Sequence, residues 1–215
     1  MKTLPSTMFI TGIGTDVGKS YATGWLAREL ARLGRKVITQ KFIQTGNHEY
    51  SEDIAVHRRV MGIPMQARDR DHTTAPLILS YPASPHLAAE IDGVTVDFET
   101  ATRATETLSK EYDTVLVEGA GGALVPLHGD YLTADYIAEH KLPAVVITNG
   151  QLGSINHTLL TLEALKARAV DIAAVVYNPF FDKDKIICED TRRYLKSYLS
   201  THFPDALYLE MPEHL

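Results

Sequence analysis

The segment Gly12-Ile13-Gly14-Thr15-Asp16-Val17-Gly18-Lys19-Ser20 constrains this chain more than any other, because it separates a short apolar run from a stretch of helical periodicity. Strand, glycine loop and helix in that order is the setting in which backbone N–H groups cradle phosphate oxygens. Lys19 is then placed to neutralise β/γ-phosphate charge, and the Ser20 hydroxyl to ligate Mg²⁺. The spacing is unusual. Gly12 stands one residue too far from Gly18 for the G-x-x-x-x-G-K-[ST] pattern, so the loop is read as a variant of it.

The rest of the chain alternates short β-rich runs with longer helical patterns, which predicts βαβ units and a doubly wound α/β fold: a mostly parallel sheet with helices on both faces. Strands are expected near residues 8–11, 36–42, 114–117, 144–148, 172–177 and 206–209. Helices are expected near 19–33, 51–61, 98–111, 155–168 and 185–198. After Gly62 and Pro64, Pro76, Pro82 and Pro85 predict an irregular excursion over the sheet, within which Ser84-Pro85-His86-Leu87-Ala88-Ala89 reads as a proline turn into a helix. At 215 residues, one domain spanning 1–215 is favoured over two small ones. Hydrophobic residues at 45% and charged residues at 22% exclude a disordered chain. The charge sum, 21 basic against 27 acidic residues, gives −6 and offers no footprint for nucleic acid or an anionic membrane. A small-molecule partner is expected. Cys188, the single cysteine, can form neither an internal disulfide nor a zinc cluster, and nine histidines show no H-E-x-x-H spacing. The apolar run at 8–10 is too short for a signal-peptide core or a membrane span, so a reducing, cytoplasmic setting is expected.

Four further segments carry polar groups to the carboxyl ends of these elements. Glu118-Gly119-Ala120-Gly121-Gly122 follows the apolar run Val115-Leu116-Val117, placing a carboxylate at the binding edge of an open α/β sheet, where it can hold Mg²⁺ opposite the Ser20 hydroxyl. Lys41-Phe42-Ile43-Gln44-Thr45-Gly46 ends the second strand, where a lysine faces either the same phosphates or solvent. Gly153-Ser154-Ile155-Asn156-His157 opens a helix whose free N–H groups either bind a carboxylate or are merely capped. Asn178-Pro179 after Val175-Val176-Tyr177 reads as a nucleobase contact or a turn. Asp53, near a helix start, by itself suits a dipole complement or cap.

In their order along the chain, the extended loop 12–20, Lys41 to Gly46, Ser84-Pro85-His86-Leu87-Ala88-Ala89, Glu118 to Gly122 and Leu152 to His157 resemble the dethiobiotin synthetase family of P-loop ligases. The loop's odd spacing is what that family shows. The resemblance implies a homodimer that uses ATP and Mg²⁺ to close a ureido ring on 7,8-diaminononanoate with CO₂. It implies nucleotide contacts from Asp16, Val17, Gly18, Lys19, Ser20, Tyr21, Asp53, Glu118, Gly119, Ala120, Gly121, Asn178, Pro179 and Pro212. Mg²⁺ is assigned to Ser20, Asp53 and Glu118, and catalysis to Lys19 and Lys41. Substrate contacts fall to Thr15 and Thr45, and to Ser154, Ile155 and Asn156, whose helix takes the substrate carboxylate across the dimer interface. The chain departs from the family pattern at Ser20 (commonly Thr), Asp16 (commonly Glu) and Phe42 (generally Pro), and its tail beyond Glu210-Met211-Pro212 is short. Partition- or septum-positioning ATPases resemble the chain in fold and loop, but their extra lysine early in the loop is replaced by Ile13-Gly14, and no basic amphipathic tail follows Tyr208. An amidating ligase of cofactor synthesis usually needs a cysteine nucleophile, and Cys188 lies in no such motif.

Overall fold

The computed structural model describes residues 4–213. In chain order the elements are β1 (Thr7–Gly12), α1 (Lys19–Arg32), β2 (Val37–Lys41), β3 (Gln44–Thr45), α2 (Glu52–Met61), α3 (Ala67–Arg70), β4 (Ile78–Leu79), α4 (Pro85–Asp92), α5 (Phe98–Glu111), β5 (Thr114–Glu118), β6 (Pro126–His128), β7 (Tyr131–Leu132), α6 (Thr133–Glu139), β8 (Ala144–Asn149), α7 (Ser154–Lys166), β9 (Ile172–Asn178), a 3₁₀ turn (Pro179–Phe181), α8 (Lys185–His202) and β10 (Leu207–Glu210). Six strands form a parallel sheet in the order β10-β9-β8-β1-β5-β2. The doubly wound fold expected from the alternation is therefore present. Among the described residues no helix is long and apolar enough to cross a membrane.

Because both faces are covered, the strands are near-continuous apolar runs, and successive residues feed opposite cores. Met8, Ile10, Leu116, Val145, Ile147, Ala174 and Val176 pack with Ala22, Trp25 and Leu26 of α1. Phe9, Val115, Val117, Val146 and Val175 face the other way, against Ala101 and Leu108 of α5, Ile137 of α6 and Leu162 of α7. Phe42, on this second face, sits against Phe9, Phe98 and Tyr136 with ring centroids 5.6, 5.9 and 4.4 Å away. Its N–H donates to the Glu118 carbonyl at 2.8 Å, a bond that proline cannot make. The residue thus prolongs the pairing of β2 with β5 by one step.

The proline-rich excursion is more ordered than its composition suggests. Besides α4, which opens at Ser84-Pro85 as its sequence suggests, it contains β4, and β4 pairs with β3. It also covers the outer rim of β2, an edge strand, since the Lys41 N–H donates to the Thr74 carbonyl at 2.7 Å. The hairpin β6–β7 and the short helices α3 and α6 have no counterpart in the sequence reading. They are too brief for periodicity to separate from loop.

Candidate active site

All parallel strands end on one edge, and a cleft of about 1130 Å³ opens there. At its floor the loop between β1 and α1 is shaped by two left-handed residues, Asp16 at φ 58° and Gly18 at φ 88°. A side chain at Gly18 would run into the Asn178 amide, so the loop tolerates only hydrogen there. Gly18 is the N-cap of α1 and carries no side-chain cap, leaving first-turn N–H groups free for an anion. Lys19 curls back, its Nζ donating to the Gly14 carbonyl at 2.9 Å.

Register brings the charged groups together. Lys41 and Glu118 are paired residues on β2 and β5, so their side chains leave the sheet side by side. Lys41 Nζ reaches Asp53 Oδ2 at 2.5 Å, Glu118 Oε1 at 2.9 Å and the Gly119 carbonyl at 3.1 Å. Ser20 Oγ lies 2.8 Å from Asp53 Oδ1 and 2.9 Å from Glu118 Oε1. One hydroxyl and two carboxylates from α1, α2 and β5 thus converge, with the Lys41 ammonium sharing Glu118 Oε1 with Ser20 and taking the other oxygen of Asp53.

His57 completes the cluster, and the sequence reading did not single it out. It lies one helical turn beyond Asp53 on α2, so both face Glu118. Its Nε2 is 2.7 Å from Glu118 Oε2, and its Nδ1 is 2.9 Å from Thr39 Oγ1. An ionised carboxylate only accepts, so Nε2 is the donor in its bond to Glu118. Thr39 Oγ1 in turn accepts from Arg58 Nη1 at 2.7 Å, and Arg58 is gripped by both oxygens of Asp69. Thr39 and His57 thus link a buried guanidinium to a buried carboxylate. An i, i+4 search from Asp53 is the one signal that points to His57 in the sequence.

These surroundings set the charges. Burial opposes ionisation of Glu118, but Lys41 and His57 outweigh it and hold the carboxyl far below the ordinary carboxylate range. Burial also works against the Lys41 ammonium, yet Glu118 and Asp53 raise its pKa above the usual lysine value. Lys19 goes the other way: burial, reinforced by the Lys41 charge and only partly offset by Glu118, lowers it to about 8. A triphosphate beside Lys19 favours its ammonium form and raises that pKa in the complex. Nucleotide binding therefore takes up a proton above pH 8 and weakens there, roughly tenfold per pH unit at most. Calorimetry of an ATP analogue at pH 7 and pH 9, in buffers of differing ionisation enthalpy, is expected to read weaker binding and net proton uptake at pH 9. Affinity unchanged between the two would place Lys19 away from the phosphates.

Comparison with known proteins agrees with this geometry. A family profile described as "AAA domain" matches residues 6–203. The chain is 44% identical over 200 residues to ATP-dependent dethiobiotin synthetase BioD 2 of Pasteurella multocida, covering 93% of this chain and 94% of that protein. It is 48% identical over 203 residues to ATP-dependent dethiobiotin synthetase BioD of Chlorobaculum tepidum, covering 94% and 85%. The chain belongs to the dethiobiotin synthetase family. That is a family of ATP-dependent ligases, and the resemblance carried by the five motifs holds. Among solved structures, ParA of pNOB8 bound to nonspecific DNA matches with a TM-score of 0.57 at 14% identity, over 97% of this chain and 86% of that one. The signal recognition particle receptor FtsY of Elizabethkingia anophelis in complex with GDP matches with a TM-score of 0.54 at 15% identity, over 96% and 57%. Both share the fold of this dethiobiotin synthetase family member. The partition-type alternative has that likeness of fold alone.

Most residues assigned from the family motifs line the cleft: Thr15, Asp16, Gly18, Lys19, Ser20 and Tyr21 from the loop and α1, Lys41, Thr45 and Asp53 beside them, and Glu118, Ala120 and Gly121 after β5. Asn178 and Pro212 line its far end. Val17 and Pro179 are buried instead, and Gly119 packs beneath the Phe9 ring. The Asn178 amide is largely engaged within the protein: Nδ2 donates to the Val17 carbonyl at 3.1 Å and Oδ1 accepts from the Phe180 N–H at 3.1 Å. One amide proton of Asn178 is left for a base. Ser154, Ile155 and Asn156 stand at the start of α7 and do not line this cleft.

Proposed function

We propose that the cleft closes the ureido ring of dethiobiotin on 7,8-diaminononanoate, using CO₂ and ATP. One amine adds CO₂ and loses a proton to become a carbamate. A carbamate oxygen attacks the γ-phosphorus and ADP departs, leaving a carbamic–phosphoric anhydride. The second amine attacks the anhydride's carbonyl carbon, loses its proton and expels phosphate as the ring closes. The observation that carries the reading is the Lys41 ammonium, fixed in register beside Glu118 in the same cleft as Lys19. The carbamate and the triphosphate are both anionic, and two lysines offset their repulsion as they approach. Lys19 holds the β/γ-phosphates, Lys41 the transferring phosphoryl group and carbamate, Thr45 the carbamate or phosphate, and Thr15 the diamine.

Mg²⁺ fits the donor set. Ser20, Asp53 and Glu118 would hold it through hard oxygens too few for an all-protein cage, as suits an ion that keeps waters and substrate phosphates. Among the described residues no cluster of three His, Cys, Asp or Glu groups suits another cation. When bound, the ion supplies neutralisation of phosphate charge.

The chain acts as one domain in a cytoplasmic homodimer, and the substrate's carboxylate binds at α7 of the partner copy. Like α1, α7 starts on a left-handed glycine N-cap without a side-chain cap, Gly153 at φ 96°. Ser154 Oγ is buried there with no hydrogen-bond partner. The diamine's methylene chain carries its carboxylate roughly 8–10 Å from the reacting amines, which calls for an anion site apart from the phosphate loop.

One assay tests these assignments: ADP release with ATP, Mg²⁺, bicarbonate and diaminononanoate, each omitted in turn. Turnover is expected only with all four, and the diamine's methyl ester is expected to be a poor substrate. Equal ADP release without the diamine, or stimulation by DNA or lipid, would overturn the ligase reading. Equal turnover of the ester would remove the carboxylate site.

A further inference from the structure

Two chain segments bound the far end of the cleft. The first is the 3₁₀ turn after β9, whose Phe180 and Phe181 line the cleft; the Phe181 ring stands beside Gly18 of the phosphate loop. The second is the tail after β10, where Met211, Pro212 and Glu213 form the facing wall, tied by the Met211 N–H to the Tyr177 carbonyl at 2.9 Å. Both walls are mainly apolar, and they rise at the opposite end of the loop from Lys41. A flat aromatic ring carried by a nucleotide's sugar suits this slot, because apolar and aromatic faces take up a base without needing its polar edge.

What sets the spacing of the walls is Arg192 of α8, which does not line the cleft. Its Nη2 pairs with Asp182 Oδ2 at 2.5 Å, at the end of the 3₁₀ turn, and its Nε with Glu210 Oε2 at 3.3 Å, at the root of the tail. The guanidinium lies 4.2 Å from the centroid of the Tyr177 ring, on the strand between the two segments. Tyr177 Oη donates to Asp182 Oδ1 at 2.8 Å, and Lys196 pairs with Glu210 at 2.7 Å. Gly150 lets the knot close, since a side chain there would strike Tyr177 Oη, Asp182 and Cys188 together.

We infer that Arg192 is a positioning residue for the nucleobase: it ties Asp182 to Glu210 and so fixes the slot between Phe181 and Met211 that receives the base. The inference rests on the use of ATP proposed above and adds the residue that governs affinity for the base part of the nucleotide. Its effect is confined to one end of the ligand, because Arg192 touches none of Lys19, Ser20 or Lys41.

The test compares ATP with inorganic tripolyphosphate, which has the phosphates and lacks the base. For the wild type, ATP is expected to bind more tightly than tripolyphosphate in calorimetry with Mg²⁺. Arg192→Met is expected to raise the Kd and KM for ATP about tenfold, while the tripolyphosphate Kd, the KM for the diamine and kcat stay within twofold. A variant that binds both ligands equally more weakly, or binds ATP as well as the wild type, would overturn the inference. If Arg192→Met does not fold, Glu210→Gln cuts the tail side alone. It is expected to weaken ATP severalfold and leave tripolyphosphate unchanged, and an unchanged ATP affinity would again overturn it. Failure of the underlying reading is distinct: the wild type itself would bind ATP no better than tripolyphosphate and release no ADP.

Discussion

Replacing Lys41 by methionine is expected to lower kcat by about 10²–10³-fold, the loss seen when one preorganised donor is removed from a developing anion. Methionine preserves the apolar stem and the fit of a side chain that is only 5% exposed, so the change isolates the ammonium. ATP affinity is expected to stay within about threefold, because Lys19 and the loop N–H groups still hold the phosphates. Glu118 keeps His57 and Ser20 but loses its largest favourable partner, and its carboxyl pKa rises toward the ordinary range. A group whose pKa is depressed in the folded protein stabilises it above its unfolded pKa, and that stability is lost as pH falls through the folded value. The variant therefore surrenders stability at a higher pH than the parent when acidified. Steady-state kinetics with saturating diamine, paired with ATP binding by calorimetry, checks the split. A variant retaining more than a third of parental kcat would take Lys41 out of the chemistry.

Asp69→Ala is expected to cost about 3–5 kcal/mol of folding stability, the penalty for leaving a buried charge without its partner. The Asp69 carboxylate grips Arg58 at 2.9 and 2.7 Å, caps α3 through the Gln66 N–H at 2.7 Å and accepts from Thr74 Oγ1 at 2.7 Å. Burial opposes its charge, and the Arg58 pairing still holds its carboxyl below the usual range. The double variant Arg58→Met/Asp69→Leu is expected to recover much of the loss, since an apolar pair replaces a buried ion pair at little net cost. Urea denaturation of parent, single and double variants measures this. A double variant as unstable as the sum of both singles would mean that the two side chains are not energetically coupled.

The phosphate loop and Glu118 were legible because their signals are local. A strand, a glycine turn and a helix start lie within one stretch of chain, and a carboxylate directly after an apolar run marks a strand end. The family resemblance added Asp53 and Lys41, which spacing alone left ambiguous. His57 escaped because its partner lies 61 residues away and its helix reads as an ordinary amphipathic one. The Asp182–Arg192–Glu210 staple escaped for a similar reason: its three members sit on a turn, a helix and a strand, where each reads as surface charge. Asn178 was read as a base contact or a turn; its Oδ1 bond to the Phe180 N–H forms a turn and its Nδ2 bond to the Val17 carbonyl braces the loop after β1, while the residue also lines the cleft. Proline content predicted an irregular 64–97 segment, whereas the two-residue strand β4 pairs with β3 through non-local bonds that no periodicity reports.

The rim of β2 has a bearing on how the protein fails. A sheet-edge strand of sequence Val-Ile-Thr-Gln-Lys has β-branched residues and an outer row of backbone groups that, once uncovered, recruit a strand from another molecule. The strap through Thr74 occupies that rim at Lys41, whose ammonium sits on Glu118 and Asp53. Peeling the strap back would loosen the Lys41 backbone and uncover a template for intermolecular pairing in a single event. Loss of activity and the onset of aggregation then share one local opening, so any factor that closes the strap protects against both.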